Sequence, residues 1–156
     1  MILLQRPGQD PLEIEFIMLN FEGTLATDGR VHPKAKDKIN LLSKRARILI
    51  FTTGEKESVS AVLRNVRAEV VYLKEGDASR GKHDLLQQVE PHRAVAIGSG
   101  VSDIEMIQNS AFGIGVMSRE GTLSEVIDKA DVIFMTVVDA LDFLLKPLRQ
   151  RATLGK

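Results

Sequence analysis

The chain has 156 residues, of which 44% are apolar, and its 21 basic and 21 acidic side chains give a formal net charge of zero. This length is close to that of one domain, and this apolar fraction can fill one hydrophobic core. Zero net charge and only 4% aromatic residues argue against a nucleic-acid binder, which needs a basic face and stacking side chains.

Other classes of protein are also disfavoured. No apolar run reaches the roughly 18 residues that a membrane-spanning helix requires, so we expect no membrane segment. Residues 1–15 are too polar for a signal peptide. The chain contains no cysteine, which removes disulfides and zinc-thiolate sites. We therefore expect a cytoplasmic protein.

Short apolar runs alternate with helical patterns along the chain. Helical stripes follow Pro33 and recur up to Leu148; Val59, Val62, Leu63 and Val66, for example, repeat at i, i+3, i+4 and i+7. The runs predict six strands, at 14–19, 47–51, 69–73, 94–97, 112–116 and 131–135.

Strands separated by helices need right-handed crossovers, which place helices on both faces of a parallel sheet. The sequence therefore predicts a three-layer α/β/α, Rossmann-like fold over residues 1–156 as a single domain. We expect residues 1–12 to form a loosely ordered segment and residues 149–156 to form a solvated tail.

An open parallel sheet binds its ligand at the carboxyl ends of its strands. Four segments follow predicted strands: 20–24, 52–55, 76–82 and 98–103. They carry polar groups that a phosphate or a cation could contact, namely Asn20, Glu22, Thr52, Lys82 and Asp103.

The strings at 20–26 (NFEGTLA) and 96–103 (AIGSGVSD), with the tail at 139–154, resemble the haloacid dehalogenase-like (HAD) superfamily of phosphatases and phosphotransferases. The resemblance covers about residues 14–154. It is strongest to small soluble proteins similar to the phosphorylation domain of P-type ATPases.

The resemblance implies a role for each matching position. The family's nucleophilic Asp, which forms an aspartyl phosphate, corresponds to Asn20, and its acid–base residue corresponds to Glu22. Phosphate-binding roles fall on Gly23, Thr52 or Thr53, and Lys82. Magnesium ligands would be the Asn20 side chain, the Glu22 backbone carbonyl and Asp103.

The sequence departs from the family pattern at the reacting atom, because a carboxamide at Asn20 cannot form a stable acyl phosphate. Glu22 is one methylene longer than the usual Asp. Ser99 stands where an acid is frequent, and Ser102 stands where Asn is common. Two carboxylates opposite Mg²⁺ are thus missing, and any magnesium site should be weakened.

Plain structural roles remain open for the same residues. Asn20 suits a turn after a strand, and Thr52 could cap the next helix. Most lysines are solvated, as Lys82 could be. Ser102 could cap a helix through a box with Glu105, which would leave Asp103 as a favourable charge in its first turn.

The segments 25–47 and 54–81 are too short for the cap domain that many HAD proteins insert, so an open site is expected. Thr27–Arg30 would form a small flap beside it. Our leading hypothesis is a catalytically degenerate HAD-like protein that binds a phosphorylated ligand or a protein partner, or has a regulatory or structural role.

The alternative is a Mg²⁺-dependent phosphatase for phosphate monoesters, in which Glu22 or Asp103 activates water directly. A third hypothesis is a subunit that depends on a partner chain, including another copy of itself.

Overall fold

The computed structural model describes residues 1–155; Lys156, the last residue of the predicted tail, lies outside them. Strands and helices alternate along most of this length, as the apolar pattern indicated. The strands are β1 (Ile2–Leu4), β2 (Leu12–Ile14), β3 (Phe16–Asn20), β4 (Ala26–Thr27), β5 (Arg30–Val31), β6 (Arg47–Thr52), β7 (Glu69–Tyr72), β8 (Ala94–Gly98), β9 (Phe112–Val116) and β10 (Val132–Phe134). The helices are α1 (Pro33–Leu42), α2 (Lys56–Val62), α3 (Ala78–Gln88), α4 (Ile104–Asn109), α5 (Ser124–Lys129), α6 (Val137–Leu145) and α7 (Pro147–Leu154).

Six of the strands form one parallel sheet in the order β10-β9-β8-β3-β6-β7. The predicted three-layer α/β fold is therefore confirmed. Strand β3 lies in the middle, between β6 and β8, and the sequence order of the strands reverses on its two sides. This is the switch point at which open α/β sheets form a ligand crevice.

The central strands are buried on both faces. All five residues of β8 and the last four of β3 are buried. Alternate residues of β3 enter different clusters: Ile17 and Leu19 pack on one side of the sheet, and Met18 packs on the other. Such near-continuous apolar runs are typical of a parallel sheet covered by helices on both sides.

The N-terminal segment differs from the prediction. Residues 1–12 were expected to be loosely ordered, but β1 pairs antiparallel with β2. Ile2, Leu4 and Ile14 are at most 1% exposed. The pattern was missed because each strand of this hairpin spans only three residues, which is too short to show a period, and Leu3 is apolar although it is 40% exposed.

The C-terminal segment is also more ordered than expected. Residues 149–155 were expected to form a solvated tail, but α7 follows α6 directly after a break at Lys146 and extends to Leu154. Gln150 is 1% exposed; its Oε1 accepts from Gln5 N and its Nε2 donates to the Phe143 carbonyl. Within residues 1–155, no helix combines the length and the apolar character needed to cross a membrane.

The flap next to the sheet forms as predicted. Strands β4 and β5 pair antiparallel across a turn in which Asp28 and Gly29 have φ angles of 52° and 76°. Segment 25–47 is filled by this flap and α1, and segment 54–81 is filled by α2, β7 and the start of α3. Neither contains a cap domain, so the carboxyl edge of the sheet stays open.

At the opposite edge of the sheet, the Arg47 guanidinium bonds both carboxylate oxygens of Glu69 at 2.9 and 3.0 Å. This hydrogen bonding lowers the pKa of Glu69. A lowered folded-state pKa stabilises the fold above the unfolded-state pKa, and the effect is lost as pH falls through the folded value. Both side chains are more than half exposed, so the contribution is small.

We predict that Glu69→Gln lowers the free energy of unfolding by at most about 1 kcal/mol at neutral pH. The gap between the native chain and the variant should narrow from neutral pH to an acid pH below the lowered folded-state pKa of Glu69, because the native carboxylate becomes protonated there. Urea unfolding of both proteins at the two pH values tests this. A gap that widens in acid would contradict it.

Candidate functional site

The carboxyl ends of the three central strands meet at one polar site. Asn20 ends β3, Thr52 ends β6 and Gly98 ends β8. Helix α3 brings Lys82 to the same place, and a short 3₁₀ turn after β8 brings Asp103. The structure therefore brings together predicted residues that lie up to 83 positions apart in the sequence (103 − 20 = 83).

Lys82 is the centre of this site. Its side chain is 3% exposed, and its ammonium donates to Asn20 Oδ1 at 2.9 Å, to Ser102 Oγ at 2.6 Å and to Asp103 Oδ1 at 2.8 Å. An ammonium has three donor hydrogens, so each has an acceptor. The solvated role left open for this lysine is therefore wrong, because the side chain is buried. A lysine is rarely buried unless it is paired in this way.

Asp103 is fully buried and completely bonded. Its Oδ1 accepts from Lys82, and its Oδ2 accepts from the backbone N–H groups of Ser99 and Gly100, both at 3.0 Å. Its exposure is 0%. A carboxylate held in this way cannot reach a water molecule in an open cavity, so Asp103 does not fit the role of a general base.

Asn20 is held in one orientation. Its Oδ1 accepts from Lys82, while its Nδ2 donates to the Glu22 backbone carbonyl at 2.7 Å. Turning the amide over would place its NH₂ group against the ammonium, donor facing donor. The orientation of the carboxamide is thus set by the charge of Lys82.

The three predicted magnesium ligands do not fit a divalent cation in this arrangement. The Glu22 carbonyl already accepts from the Asn20 amide, and the Asn20 and Asp103 oxygens both accept from Lys82. Asp103 is the one carboxylate among the three, and the Lys82 ammonium balances its charge. Mg²⁺ prefers several carboxylate or water oxygens in octahedral geometry.

No cluster of three or more His, Cys, Asp or Glu side chains suited to a metal occurs in the described part of the chain.

Ser99, at the position where an acid is frequent in the family, closes the turn after β3. Its Oγ donates to the Gly23 carbonyl at 3.0 Å and is hydrogen-bonded to Thr24 Oγ1 at 2.7 Å. Gly23 has a φ of 74°, a conformation that favours glycine. Its N–H donates to the Ala26 carbonyl, so it does not face a ligand as the phosphate-binding prediction required.

The Glu22 carboxylate lies at the end of the neighbouring strand. The Thr52 hydroxyl donates to Glu22 Oε2 and the Thr53 backbone N–H donates to Glu22 Oε1 at 3.1 Å. Thr52 Oγ1 in turn accepts from Gly54 N at 2.9 Å. Thr52 therefore bonds both the next turn and Glu22, and the helix-capping role left open for it does not describe its main contact.

These groups surround an open cavity of about 220 Å³. The lining joins polar groups with two apolar side chains, Leu73 and Val101. The polar residues that line it are Asn20, Glu22, Thr52, Thr53, Lys82 and Ser102. Glu22 is the only carboxylate among the lining residues, and Asp103 is not among them.

Two contributors were missed by the sequence analysis. Ser102 was explained as a helix cap, but its hydroxyl accepts from Lys82, and the residue at N-cap of the 3₁₀ turn is Gly100. Thr24 was treated only as part of a motif, although it bonds Ser99. Their positions within the two HAD-like strings were the available signal.

A larger cleft of about 920 Å³ lies on the other side of the flap. It is lined by the flap and by the segments that follow β9 and β10, including Met117, Arg119 and Met135. Thr24 lines it as well, so the turn after β3 separates the two cavities.

Comparison with known proteins supports the fold. No protein-family model matches the chain. The uncharacterized protein MJ0073 of Methanocaldococcus jannaschii is 32% identical over 84 residues, which is 51% of this chain and 90% of that protein.

Several solved structures resemble most of the chain. An HAD superfamily (subfamily III A) hydrolase of Legionella pneumophila has a TM-score of 0.73 and 18% identity, with 92% of this chain and 87% of that chain covered. A 3-deoxy-D-manno-octulosonate 8-phosphate phosphatase of Moraxella catarrhalis, solved with magnesium, phosphate and KDO, has a TM-score of 0.73 and 15% identity over 87% and 88%.

The cobalt-bound deoxy-D-mannose-octulosonate 8-phosphate phosphatase of Haemophilus influenzae has a TM-score of 0.70 and 16% identity over 92% and 91%. At these identities the likeness shows the fold, and the HAD-like fold is confirmed. The finer resemblance to the P-type ATPase phosphorylation domain stays a prediction.

We predict that Gly98→Ala destabilises the site and the fold by about 1–3 kcal/mol, as overpacking does. A Cβ on Gly98 would overlap the Asp103 Cβ and Cγ atoms, and Asp103 is fixed by its hydrogen bonds. Gly100→Ala is the matched control, because its Cβ would lie 3.8 Å from Asp103 Oδ2. Equal losses for the two variants in urea unfolding would contradict this geometry.

We also predict that Lys82→Met lowers the free energy of unfolding by about 3–5 kcal/mol, because it leaves the buried Asp103 charge without its partner. Lys56→Met, at an exposed helical position, should change it by no more than about 0.5 kcal/mol. Chemical unfolding of both variants measures the difference. A loss below about 1 kcal/mol for Lys82→Met would show that the pair is not buried as described.

Proposed function

This chain belongs to the same family as the Methanocaldococcus jannaschii protein and has an HAD-like fold, and we propose that it binds an anionic group, such as a phosphorylated ligand, without hydrolysing it. The observation that carries the proposal is the fixed carboxamide of Asn20, which accepts from Lys82 and donates to the Glu22 carbonyl. It stands where a family enzyme would need a nucleophilic carboxylate.

The proposal explains why the phosphate-binding residues are present while the nucleophile and one metal-binding acid are absent. The groups suited to bind an anion, Thr52, Thr53 and Lys82, line one cavity. The nucleophile and the acid at position 99 are replaced by Asn20 and Ser99. Neither replacement side chain is ionisable, so the site has neither a group to attack phosphorus nor the charge to balance Mg²⁺.

The competing function is Mg²⁺-dependent hydrolysis of a phosphate monoester by direct attack of water. One observation favours it: the Glu22 carboxylate faces the cavity, where it could accept a proton from water. Phosphatases of similar fold, from Moraxella catarrhalis and Haemophilus influenzae, also support it. It would do without a covalent intermediate, and therefore without the division of one hard step into two easier ones.

Turnover of an aryl phosphate with and without Mg²⁺ separates the two functions. We expect no turnover by the native chain above the buffer rate. Asn20→Asp/Ser99→Asp restores a carboxylate nucleophile and a second acid, and we expect it to gain Mg²⁺-dependent turnover. Ser99→Asp alone is the control for the second acid, because it supplies that carboxylate without a nucleophile and should stay inactive.

Metal binding gives a second measurement that does not depend on activity. A ligand that binds the folded state raises its stability, so millimolar Mg²⁺ should raise the thermal midpoint of the double variant and leave that of the native chain unchanged. Mg²⁺-dependent turnover by the native chain that Glu22→Gln abolishes would overturn the proposal and establish direct water attack.

A further inference from the structure

The Glu22 carboxylate occupies the cavity as an anion supplied by the protein itself. The carboxylate of Glu22 accepts from the Thr52 hydroxyl and from the Thr53 backbone N–H. These two donors are the ones that the HAD resemblance assigns to a bound phosphate. The side chain of Glu22 thus fills the place that a phosphoryl oxygen would take.

The side-chain donors of Thr52 and Lys82 are fully engaged. Thr52 has one hydroxyl hydrogen, and it goes to Glu22, while its oxygen accepts from Gly54 N. The three ammonium hydrogens of Lys82 go to Asn20, Ser102 and Asp103. An oxyanion that binds at Thr52, Thr53 or Lys82 must therefore take these donors from groups that already hold them.

Glu22 is the group that can give way. Asp103 is 0% exposed and is fixed by three hydrogen bonds, one from Lys82 on α3 and two from the backbone N–H groups of Ser99 and Gly100 after β8. Glu22, in contrast, is exposed, and its side chain can rotate into solvent without any movement of the backbone.

The length of this side chain matters. The backbone of Glu22 is positioned by the Asn20 amide, which donates to its carbonyl, while its carboxylate reaches donors on the neighbouring strand end. An Asp at the same backbone position would fall short by one C–C bond of about 1.5 Å. The extra methylene of Glu22 is what lets it contact both Thr52 and Thr53.

We propose that Glu22 is a specificity-determining residue, an internal competitor that an anionic ligand must displace from Thr52 and Thr53. The proposal rests on the proposed function, because it concerns how the same cavity selects its ligand. A small free oxyanion gains little, because it only replaces the Glu22 carboxylate at the same two donors. The site therefore favours an oxyanion that is part of a larger ligand with further contacts at the mouth of the cavity.

Binding of inorganic phosphate, measured by titration calorimetry at about 0.15 M salt, tests this. We expect Glu22→Ala to lower the Kd for phosphate by about tenfold or more relative to the native chain, because it frees two donors. Glu22→Asp should give an intermediate gain. Thr52→Val in the Glu22→Ala background should remove most of the gain.

Glu55→Ala is the matched control for charge. Glu55 is exposed, two residues beyond Thr53, and no side-chain cap bond is formed by it. Its removal takes the same charge from the same edge of the sheet, and salt screens its effect, so phosphate affinity should change less than about threefold. Thermal unfolding of each variant shows that it folds.

Two results would overturn the inference: equal gains for Glu22→Ala and Glu55→Ala, or no measurable phosphate binding by any variant. Neither result would show hydrolysis by the native chain, so the proposed loss of hydrolysis would still be decided by the turnover assay. Conversely, turnover by the native chain would overturn the proposed function, while the phosphate affinities would still decide the role of Glu22.

Discussion

The buried ammonium of Lys82 imposes the main constraint on this end of the molecule. A charge taken out of water at this depth destabilises a protein by several kcal/mol unless it is paired and fully hydrogen-bonded. The fold meets that requirement by placing Asn20, Ser102 and Asp103 around one nitrogen. Strand β3, helix α3 and the turn after β8 must therefore meet in one geometry, and glycine at position 98 leaves room for the Asp103 side chain.

The same constraint links the nucleophile position to the metal. The buried groups at the site carry one positive charge, on Lys82, and one negative charge, on Asp103. A carboxylate at position 20 or 99 would leave an excess of negative charge that calls for a cation, whereas Asn20 and Ser99 leave none. Under the proposed function, the replacement of the nucleophile and the loss of the cation both follow from this balance of charge. The hydrogen bonds of Asn20 and Ser99 then hold together the turns that a metal ion would otherwise join.

The sheet was predictable because its strands are continuous apolar runs separated by helical stripes, and both signals extend over many residues. The gathering of Asn20, Thr52, Lys82 and Asp103 followed from one rule about where parallel strands end. The β1–β2 hairpin was missed because three-residue strands carry little periodicity. The pairing of Glu22 with Thr52 and Thr53 could not be predicted either, since it depends on the direction of one flexible side chain, and the partnership of Ser102 with Lys82 depends on a helix 20 residues away.

The distance in sequence between these partners has a consequence for folding kinetics. Lys82 bonds Asn20 across 62 positions and Asp103 across 21, and the strand that precedes Asp103, β8, docks directly against β3. The loop-closure entropy of these contacts has to be met before the ion pair contributes any stability. Contacts that form late change the unfolding rate more than the folding rate. The ion pair of Lys82 and Asp103 should thus mainly lower the unfolding rate. The edge of the sheet that holds the cavity would then have a long native lifetime.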